Sequence, residues 1–338
     1  MSRDGIAIAG SILVDTIKTI SEYPEKNMLT DILEIERAVG GCVPNTSIDL
    51  ASIDSEIAVS AYGRVGNDEA ADFIIERLKQ SNINTDGIIK NEYALTSFTD
   101  VFNEKQTGCR TFFSYPGASA GFCEADLDFE NMKARMLHLG YLMLLPVMDS
   151  PDDEYGCRAA RAACLAQENG IKVSVDTVSS NAEGLKRVVI PTLKFCNYVI
   201  MNETEVCAAT GLKARKDNGE LDAGNILKAM RHFISCGVKE CVIVHCPEGG
   251  FYMDCNERTV KSGSLILPEG YIAGATGAGD AFCAAALYGL YNDFSPEEIL
   301  KLGSASAALN LVVKDSVSGA GSFNDLKNIM NKFDTRKL

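Results

Sequence analysis

The chain has 338 residues, 46% of them hydrophobic and 23% charged, an ordinary globular composition that excludes a disordered or fibrous chain. That length suits one large α/β domain or two ordinary ones, with enough core to need no disulfide or metal staple. A net charge of −14 speaks against nucleic acid and anionic membranes as partners, because both require a basic surface; it leaves room for an anion held by backbone N–H groups, a helix N-terminus and a divalent cation.

Taken in chain order, strand-like runs fall at Gly5–Ala9, Glu56–Tyr62, Met136–Leu144, Ile171–Asp176, Asn197–Met201 and Cys241–His245. Helical stretches such as Asp68–Gln80, Asp152–Asn169 and Ala223–Ser235 lie between them. This alternation reads as βαβ units around a mainly parallel sheet, and the continuous apolar character of several strands fits burial on both faces. Two segments break the rhythm. Residues 11–39 hold strand-like pieces without a long helix, and 94–115 read as a hairpin turning at Asn103–Gly108. Phe98, Phe102, Phe112 and Phe113 give that hairpin more apolar surface than a solvated ribbon needs. We read the two segments as a small sheet standing off the main body, acting as a lid, a dimer surface or both; the alternative is a surface hairpin folded back on its own core.

The longest apolar stretch, Leu139 to Met148, contains Gly140 and Pro146 and falls short of the ~20 residues of a membrane span. The opening MSRDGIAIAG has no basic region followed by a long apolar core, so a cytoplasmic protein is expected. Twelve cysteines are scattered with no C-x-x-C spacing. Cys241, His245 and Cys246 lack the paired spacing of a zinc site and are expected to be buried strand residues with reduced thiols.

The most informative segment is Gly274-Ala-Thr-Gly-Ala-Gly-Asp280, followed by the Ala-rich apolar run Ala281–Leu290. A glycine-rich loop opening a buried helix turns successive N–H groups one way and, with the helix N-terminus, makes an anion hole. Asp280 falls in the first turn beside that hole, where a carboxylate can take a proton from a hydroxyl while the amides hold charge on a transferring phosphoryl group. The helix dipole is expected to keep it ionised at neutral pH. A flexible turn with a dipole-matching acid is the alternative. The Gly-x-x-Gly-x-Gly order and its late position do not match the dinucleotide fingerprint, and no Walker A sequence occurs. A second motif, Gly40-Gly41-Cys-Val-Pro-Asn45, combines glycines that allow close backbone approach with an Asn able to read hydroxyls or simply to cap a helix.

Gly-Gly-x-x-x-Asn near residue 40 and Ala-Thr-Gly-Ala-Gly-Asp some 235 residues later resemble the ribokinase-like (PfkB) family of carbohydrate kinases, and Gly63-Arg-Val-Gly-Asn-Asp68 and Asn202-Glu-Thr-Glu205 are similar to two further motifs of that family, in the expected order. The resemblance implies a three-layer α/β/α fold with a small β-sheet lid at about 11–39 and 94–115, often paired between subunits. It implies ATP and Mg²⁺, with Asp280 as general base and the amides of Gly277, Ala278 and Gly279 as the anion hole. Asn202 and Glu205 would organise Mg²⁺ and phosphates through water, the alternative being a helix cap with a first-turn acid, and Thr276 and Gly250 would join Gly277 and Gly279 at the nucleotide. Asp15, Gly40, Gly41 and Asn45 would contact sugar hydroxyls. Arg110 in the lid could meet an anionic substituent, or could be an exposed hairpin residue. The chain departs from the family pattern at His245-Cys-Pro247-Glu-Gly-Gly250, where Pro247 removes an N–H near the nucleotide. It departs again at Gly274, which stands where some members have an Asp for K⁺.

The expected activity is ATP-dependent phosphorylation of a primary hydroxyl on a pentose or hexose. A nucleoside is the alternative acceptor, with a phosphosugar ranked after it. A catalytically silent sugar-binding protein and a nicotinamide-dependent oxidoreductase are the alternatives from other classes.

Overall fold

The computed structural model describes residues 3–107 and 109–338; Gly108, at the end of the expected hairpin turn, lies outside them. Strands β1 (Ile6–Gly10), β2 (Leu13–Ile20) and β3 (Ile32–Gly40) precede helix α1 (Cys42–Ile53). Then come β4 (Val59–Gly66), α2 (Glu69–Gln80), β5 (Asn84–Asn91), β6 (Ser97–Glu104), β7 (Arg110–Tyr115) and β8 (Met136–Leu142). A two-residue hairpin, β9 (Pro151–Asp152) and β10 (Gly156–Cys157), leads into α3 (Arg158–Glu168), β11 (Lys172–Thr177), α4 (Ala182–Leu193), β12 (Tyr198–Asn202), α5 (Glu203–Thr210) and α6 (Ala223–Ser235). The chain closes with β13 (Cys241–Cys246), β14 (Gly249–Asp254), β15 (Thr259–Gly263), α7 (Ala278–Tyr291), α8 (Pro296–Asn310) and α9 (Phe323–Lys332).

The main sheet has nine strands in the order β15-β14-β13-β12-β11-β8-β1-β4-β5. It is parallel from β5 through β13 and antiparallel at β13–β14 and β14–β15. Side chains on successive strand positions point to opposite faces, and each face builds its own core. Ala7 and Ala9 of β1, with Leu137, Leu139, Val199, Met201, Val242 and Val244, pack under α3, α4, α5 and α6. Ile6 and Ile8, with Met136, Ile200 and Ile243, pack under α1, α2, α7, α8 and α9. This is the expected three-layer α/β/α architecture with a mainly parallel sheet.

A separate four-stranded sheet, in the order β3-β2-β6-β7, uses residues from both segments that broke the βα rhythm. β2 and β6 pair in parallel, with Asp15 opposite Thr99. Val14 and Val39 are buried on one face and Val101 on the other, whereas Leu33, Ile35, Phe112 and Phe113 are exposed.

Several boundaries move from the sequence reading. The segment expected to be helical from Asp152 begins its helix only at Arg158. Asp152 instead accepts bonds from the amides of Glu154 and Tyr155, and Gly156 takes a positive φ of 90°, so the first residues turn back as β9–β10. β4 starts at Val59 rather than Glu56 and runs to Gly66, because Glu56 is used in a turn closed by Asp54.

Candidate active site

The site lies at the carboxyl ends of β8, β11, β12 and β13, where α7 begins. Gly277 caps α7 with a left-handed backbone, φ 80°. A Cβ there would fall within 2.5–2.7 Å of Ser316, so the loop tolerates only glycine for both conformation and space. The amides of Gly277 and Gly279 donate to no backbone or side-chain group among the described residues, and that of Ala278 makes only a long bond of 3.4 Å to the Ala275 carbonyl. Three successive N–H groups at a helix N-terminus are thus largely uncommitted, the arrangement that binds an anion.

Asp280 is buried at the foot of this loop. The Tyr141 hydroxyl donates to its Oδ2 at 2.8 Å and the Asn45 amide Nδ2 donates to the same oxygen at 2.9 Å. Oδ1 has no hydrogen-bond partner among the described residues, and Asp280 lines a cleft of about 210 Å³. The helix dipole does not keep this carboxyl acidic, as the sequence reading expected. Burial, reinforced by the nearby Asp176 carboxylate, raises its pKa from 3.8 to about 7, against the two hydrogen bonds that lower it. Desolvation exceeds the dipole here because the dipole is worth at most ~2 kcal/mol, whereas burial of a carboxylate moves its pKa by several units.

Tyr141 and Asp176 carry no sequence motif, and the sequence reading missed both. Tyr141 sits near the end of β8 with φ 57°, and Met143 follows at φ 81°; non-glycine residues hold this conformation at a cost of order 1–3 kcal/mol each. The turn aims the Tyr141 hydroxyl at Asp280, and its N–H donates to Asp176 Oδ1 at 2.5 Å. An aromatic with positive φ cannot be read from a single sequence.

Asn202 and Glu205 come together as a capping box on α5. Asn202 Oδ1 accepts from the Glu205 amide at 2.9 Å, Glu205 Oε2 accepts from the Asn202 amide at 3.1 Å, and Asn202 Nδ2 donates to Oε1 at 2.6 Å. Ser179 adds a donor to Oε1 at 3.2 Å. Both residues also line the cleft. Burial lifts Glu205 to about 7. The cleft lining includes the carboxylates Asp176, Glu205 and Asp280 and no lysine or arginine; His245 is its only other titratable nitrogen base, and burial lowers that imidazole to about 4.

Asn45 is committed at both ends of its amide: its Oδ1 accepts from Ser316 Oγ at 2.9 Å while Nδ2 serves Asp280. Gly41 caps α1 with φ 87°, and Gly40 packs against Asp15, whose Oδ2 would lie 2.4 Å from a Cβ. Asp15 lines a second, lid-side cavity of about 30 Å³ with Arg110, Phe112, Thr276 and Ser316. Burial raises the Asp15 pKa to about 7. Arg110 is not a free hairpin residue: its guanidinium donates to Thr276 Oγ1 at 2.7 Å, tying β7 to the glycine-rich loop.

Gly250 stays outside the cleft. It is the register partner of His245 in the β13–β14 hairpin, and a Cβ would meet Leu300 and Phe282 at 3.0–3.3 Å; its smallness serves packing beneath α7 and α8. Pro247 lies in the turn between those strands, where its carbonyl accepts from Ser264. Cys241 and Cys246 join separate cores on opposite faces of the sheet, so with His245 they make no zinc site. All twelve cysteines are unpaired. Gly274 donates to the Leu311 carbonyl and stands close against Val313 and Lys314.

Residues 4–319 match the model of the pfkB family carbohydrate kinases. The chain is 27% identical over 328 residues to "Probable fructokinase-6, chloroplastic" of Arabidopsis thaliana, covering 91% of this chain and 77% of that one. It is 25% identical over 283 residues to a ribokinase of Staphylococcus aureus, covering 83% of this chain and 84% of that one. In fold it is similar to the Arabidopsis thaliana ribokinase solved with ribose and ATP, with a TM-score of 0.79 at 20% identity over 98% of this chain and 99% of that one. With the family model covering nearly the whole chain, and a lone carboxylate oxygen set beside uncommitted amides at the helix start, the chain belongs to the pfkB family of carbohydrate kinases, phosphotransferases that take an alcohol group as acceptor.

Proposed function

We propose that this chain transfers the γ-phosphoryl group of ATP to a primary hydroxyl of a pentose or hexose. The observation that carries the reading is the position of Asp280: one carboxylate oxygen held by Tyr141 and Asn45, the other unpartnered, at a cleft it shares with the uncommitted loop. In the proposed reaction the acceptor hydroxyl loses its proton to Asp280 Oδ1 as its oxygen attacks the γ-phosphorus. The bond from that phosphorus to the β–γ bridging oxygen breaks, and ADP leaves. A base with a pKa near 7 is well matched to proton removal at neutral pH. The amides of Gly277, Ala278 and Gly279 offset charge on the transferring group, and most of the rate comes from positioning and charge stabilisation.

The donor set fits Mg²⁺. Asp176, Glu205 and Asp280 line the cleft without a cationic side chain, so a polyphosphate entering it requires a metal to offset like charge, and Mg²⁺ binds through one or two carboxylates, waters and substrate phosphates. Glu205, with Asn202 orienting it, would hold the ion through water, and the bound ion would neutralise the phosphates.

Asp15 and Arg110 supply acceptor and donor groups for sugar hydroxyls on the lid side. At about 30 Å³ that cavity holds roughly one water, so the lid opens at the Arg110–Thr276 contact to admit the acceptor and recloses to exclude water. Phe112 is the only aromatic ring among the described residues lining it, which favours a sugar over a nucleoside, whose base would want stacking on both faces. Exposed Ile35 and Phe113, on the face of the four-stranded sheet opposite Phe112 and the cavity, support a homodimer formed through the lid. Twelve unpaired thiols accord with a reducing cytoplasm, and no helix among the described residues is long and apolar enough to cross a membrane. A coupled ADP-release screen over sugars and nucleosides with ATP and Mg²⁺ tests the reading: sugar-dependent release supports it, nucleoside-dependent release moves the acceptor, and no release with any acceptor overturns it.

A further inference from the structure

Beneath the cleft lies a group of buried side chains, of which His138 and Cys283 take no part in the proposed phosphoryl transfer. His138 of β8 is completely buried, and its Nε2 stands 3.5 Å from Asp176 Oδ2 and 3.6 Å from Cys283 Sγ. Its other ring nitrogen, Nδ1, lies 3.1 Å from the hydroxyl of Ser174, which is equally buried. Asp176 comes from β11, the strand paired with β8, and Cys283 from the second turn of α7. The three donor atoms all lie within 4.8 Å of one another.

These separations fit a metal site. Tetrahedral zinc takes nitrogen at ~2.0–2.1 Å, carboxylate oxygen at ~2.0–2.2 Å and sulfur at ~2.3 Å. At a tetrahedral angle those bond lengths put nitrogen about 3.4 Å from oxygen and about 3.55 Å from sulfur, against 3.5 and 3.6 Å here. The Ser174 hydroxyl behind the imidazole can accept from Nδ1–H, the tautomer that leaves Nε2 free as a ligand and gives the outer-shell support of a metal-bound histidine. Asp176 and Cys283 both line the cleft, which gives an ion an entry path. The nitrogen and sulfur donors select a soft or borderline cation over Mg²⁺.

We propose that His138, Asp176 and Cys283 form a binding site for a thiophilic divalent cation, Zn²⁺ by chemistry, set between the sheet and α7 and separate from the Mg²⁺ that Asn202 and Glu205 would organise. Binding replaces the Cys283 S–H proton, which leaves to solvent, with a metal–thiolate bond. The site stands on these three side chains alone and survives if the acceptor or the kinase chemistry proposed above is wrong.

The test uses the full chain, treated with chelator and then titrated with Co²⁺ as a spectroscopic stand-in, and separately loaded with one equivalent of Zn²⁺ for X-ray absorption. The expected result is a saturable thiolate-to-cobalt charge-transfer band at one equivalent, with one sulfur and two nitrogen or oxygen protein ligands around zinc. Cys283→Ala should abolish the band, and His138→Gln should weaken binding by tenfold or more. Cys236→Ser should leave it intact, which sets aside the surface pair His232–Cys236, whose Nε2 and Sγ are 3.6 Å apart. Absence of a thiolate band in the unmodified chain, its persistence in Cys283→Ala, or zinc surrounded only by nitrogen and oxygen would overturn the assignment. If a core variant does not fold, the zinc spectrum of Cys236→Ser decides: one sulfur ligand supports the site and none overturns it.

Discussion

Asp280→Asn separates the chemistry of the base from the cost of keeping it. The amide can present its oxygen where Asp280 Oδ2 now accepts from Tyr141 and Asn45, so the geometry is preserved while the base is lost. Folding raises the pKa of this group from 3.8 to about 7. Between those values the folded chain keeps a proton that the unfolded chain has released, so stability falls as pH rises through the window and the full cost is present above it. At ~1.4 kcal/mol per pKa unit, a shift of about three units makes Asp280 a burden of about 4 kcal/mol at pH 8, where it is ionised, and somewhat under 2 kcal/mol at pH 5, where the folded chain must take up its proton. Asp280→Asn carries no such charge. Denaturant unfolding without substrate should therefore show it more stable than the parent at pH 8, with the gain shrinking by roughly 2–3 kcal/mol at pH 5. Turnover should fall by about 10²–10⁴ if Asp280 is the general base. A gain that is the same at both pH values refutes the burial argument, and turnover within tenfold of the parent refutes the base.

Arg110→Ala removes a hydrogen bond from a charged donor between the lid and Thr276, worth ~1.5 kcal/mol or more; the KM for the acceptor should rise about tenfold with a smaller change in kcat, and an unchanged KM would detach Arg110 from lid closure. Asp49 of α1 is buried with neither carboxylate oxygen partnered among the described residues, and burial pushes its pKa well above the usual range. It therefore contributes a loss of stability as pH rises above about 4, at up to ~1.4 kcal/mol per pH unit; Asp49→Asn should flatten that part of the profile, and parallel profiles for variant and parent would contradict it. Chelation of divalent cations should abolish turnover because the cleft offers a polyphosphate no cationic side chain, and readdition of Mg²⁺ should restore it; chelator-resistant activity would place neutralisation elsewhere. Ile35→Lys with Phe113→Lys on the exposed lid face should halve the mass seen by light scattering, and a parent that is already monomeric would remove the dimer.

What could be read from the sequence was whatever is local along the chain. The glycine-rich loop, Asp280 and the Asn202–Glu205 box each lie within a few residues, because a loop, a helix start and a capping box are made by neighbours. Tyr141, Asp176 and His138 escaped because the pairing of β8 with β11 and the packing of α7 on the sheet bring them in: the Tyr141 hydroxyl meets a residue 139 positions away, and nothing around Tyr141 in the sequence announces its positive φ. Asn45 was found, but its commitment to Asp280 and Ser316 follows from the packing of α1 against α7. The same limit applies to the fold. The buried strands announced themselves as apolar runs, whereas β5 (Asn84–Asn91) at the sheet edge has a largely polar, half-exposed sequence and gives no such signal. Charge followed the rule as well: a dipole can be inferred from a helix start, but the desolvation that outweighs it depends on everything packed around Asp280.

The most direct measurement is transfer of label from [γ-³²P]ATP in the presence of Mg²⁺ and the acceptor found in the ADP-release screen. Label should appear in a sugar phosphate ester with the parent chain and be lost with Asp280→Ala. Label released only as inorganic phosphate, or esterified equally well by Asp280→Ala, would contradict the account.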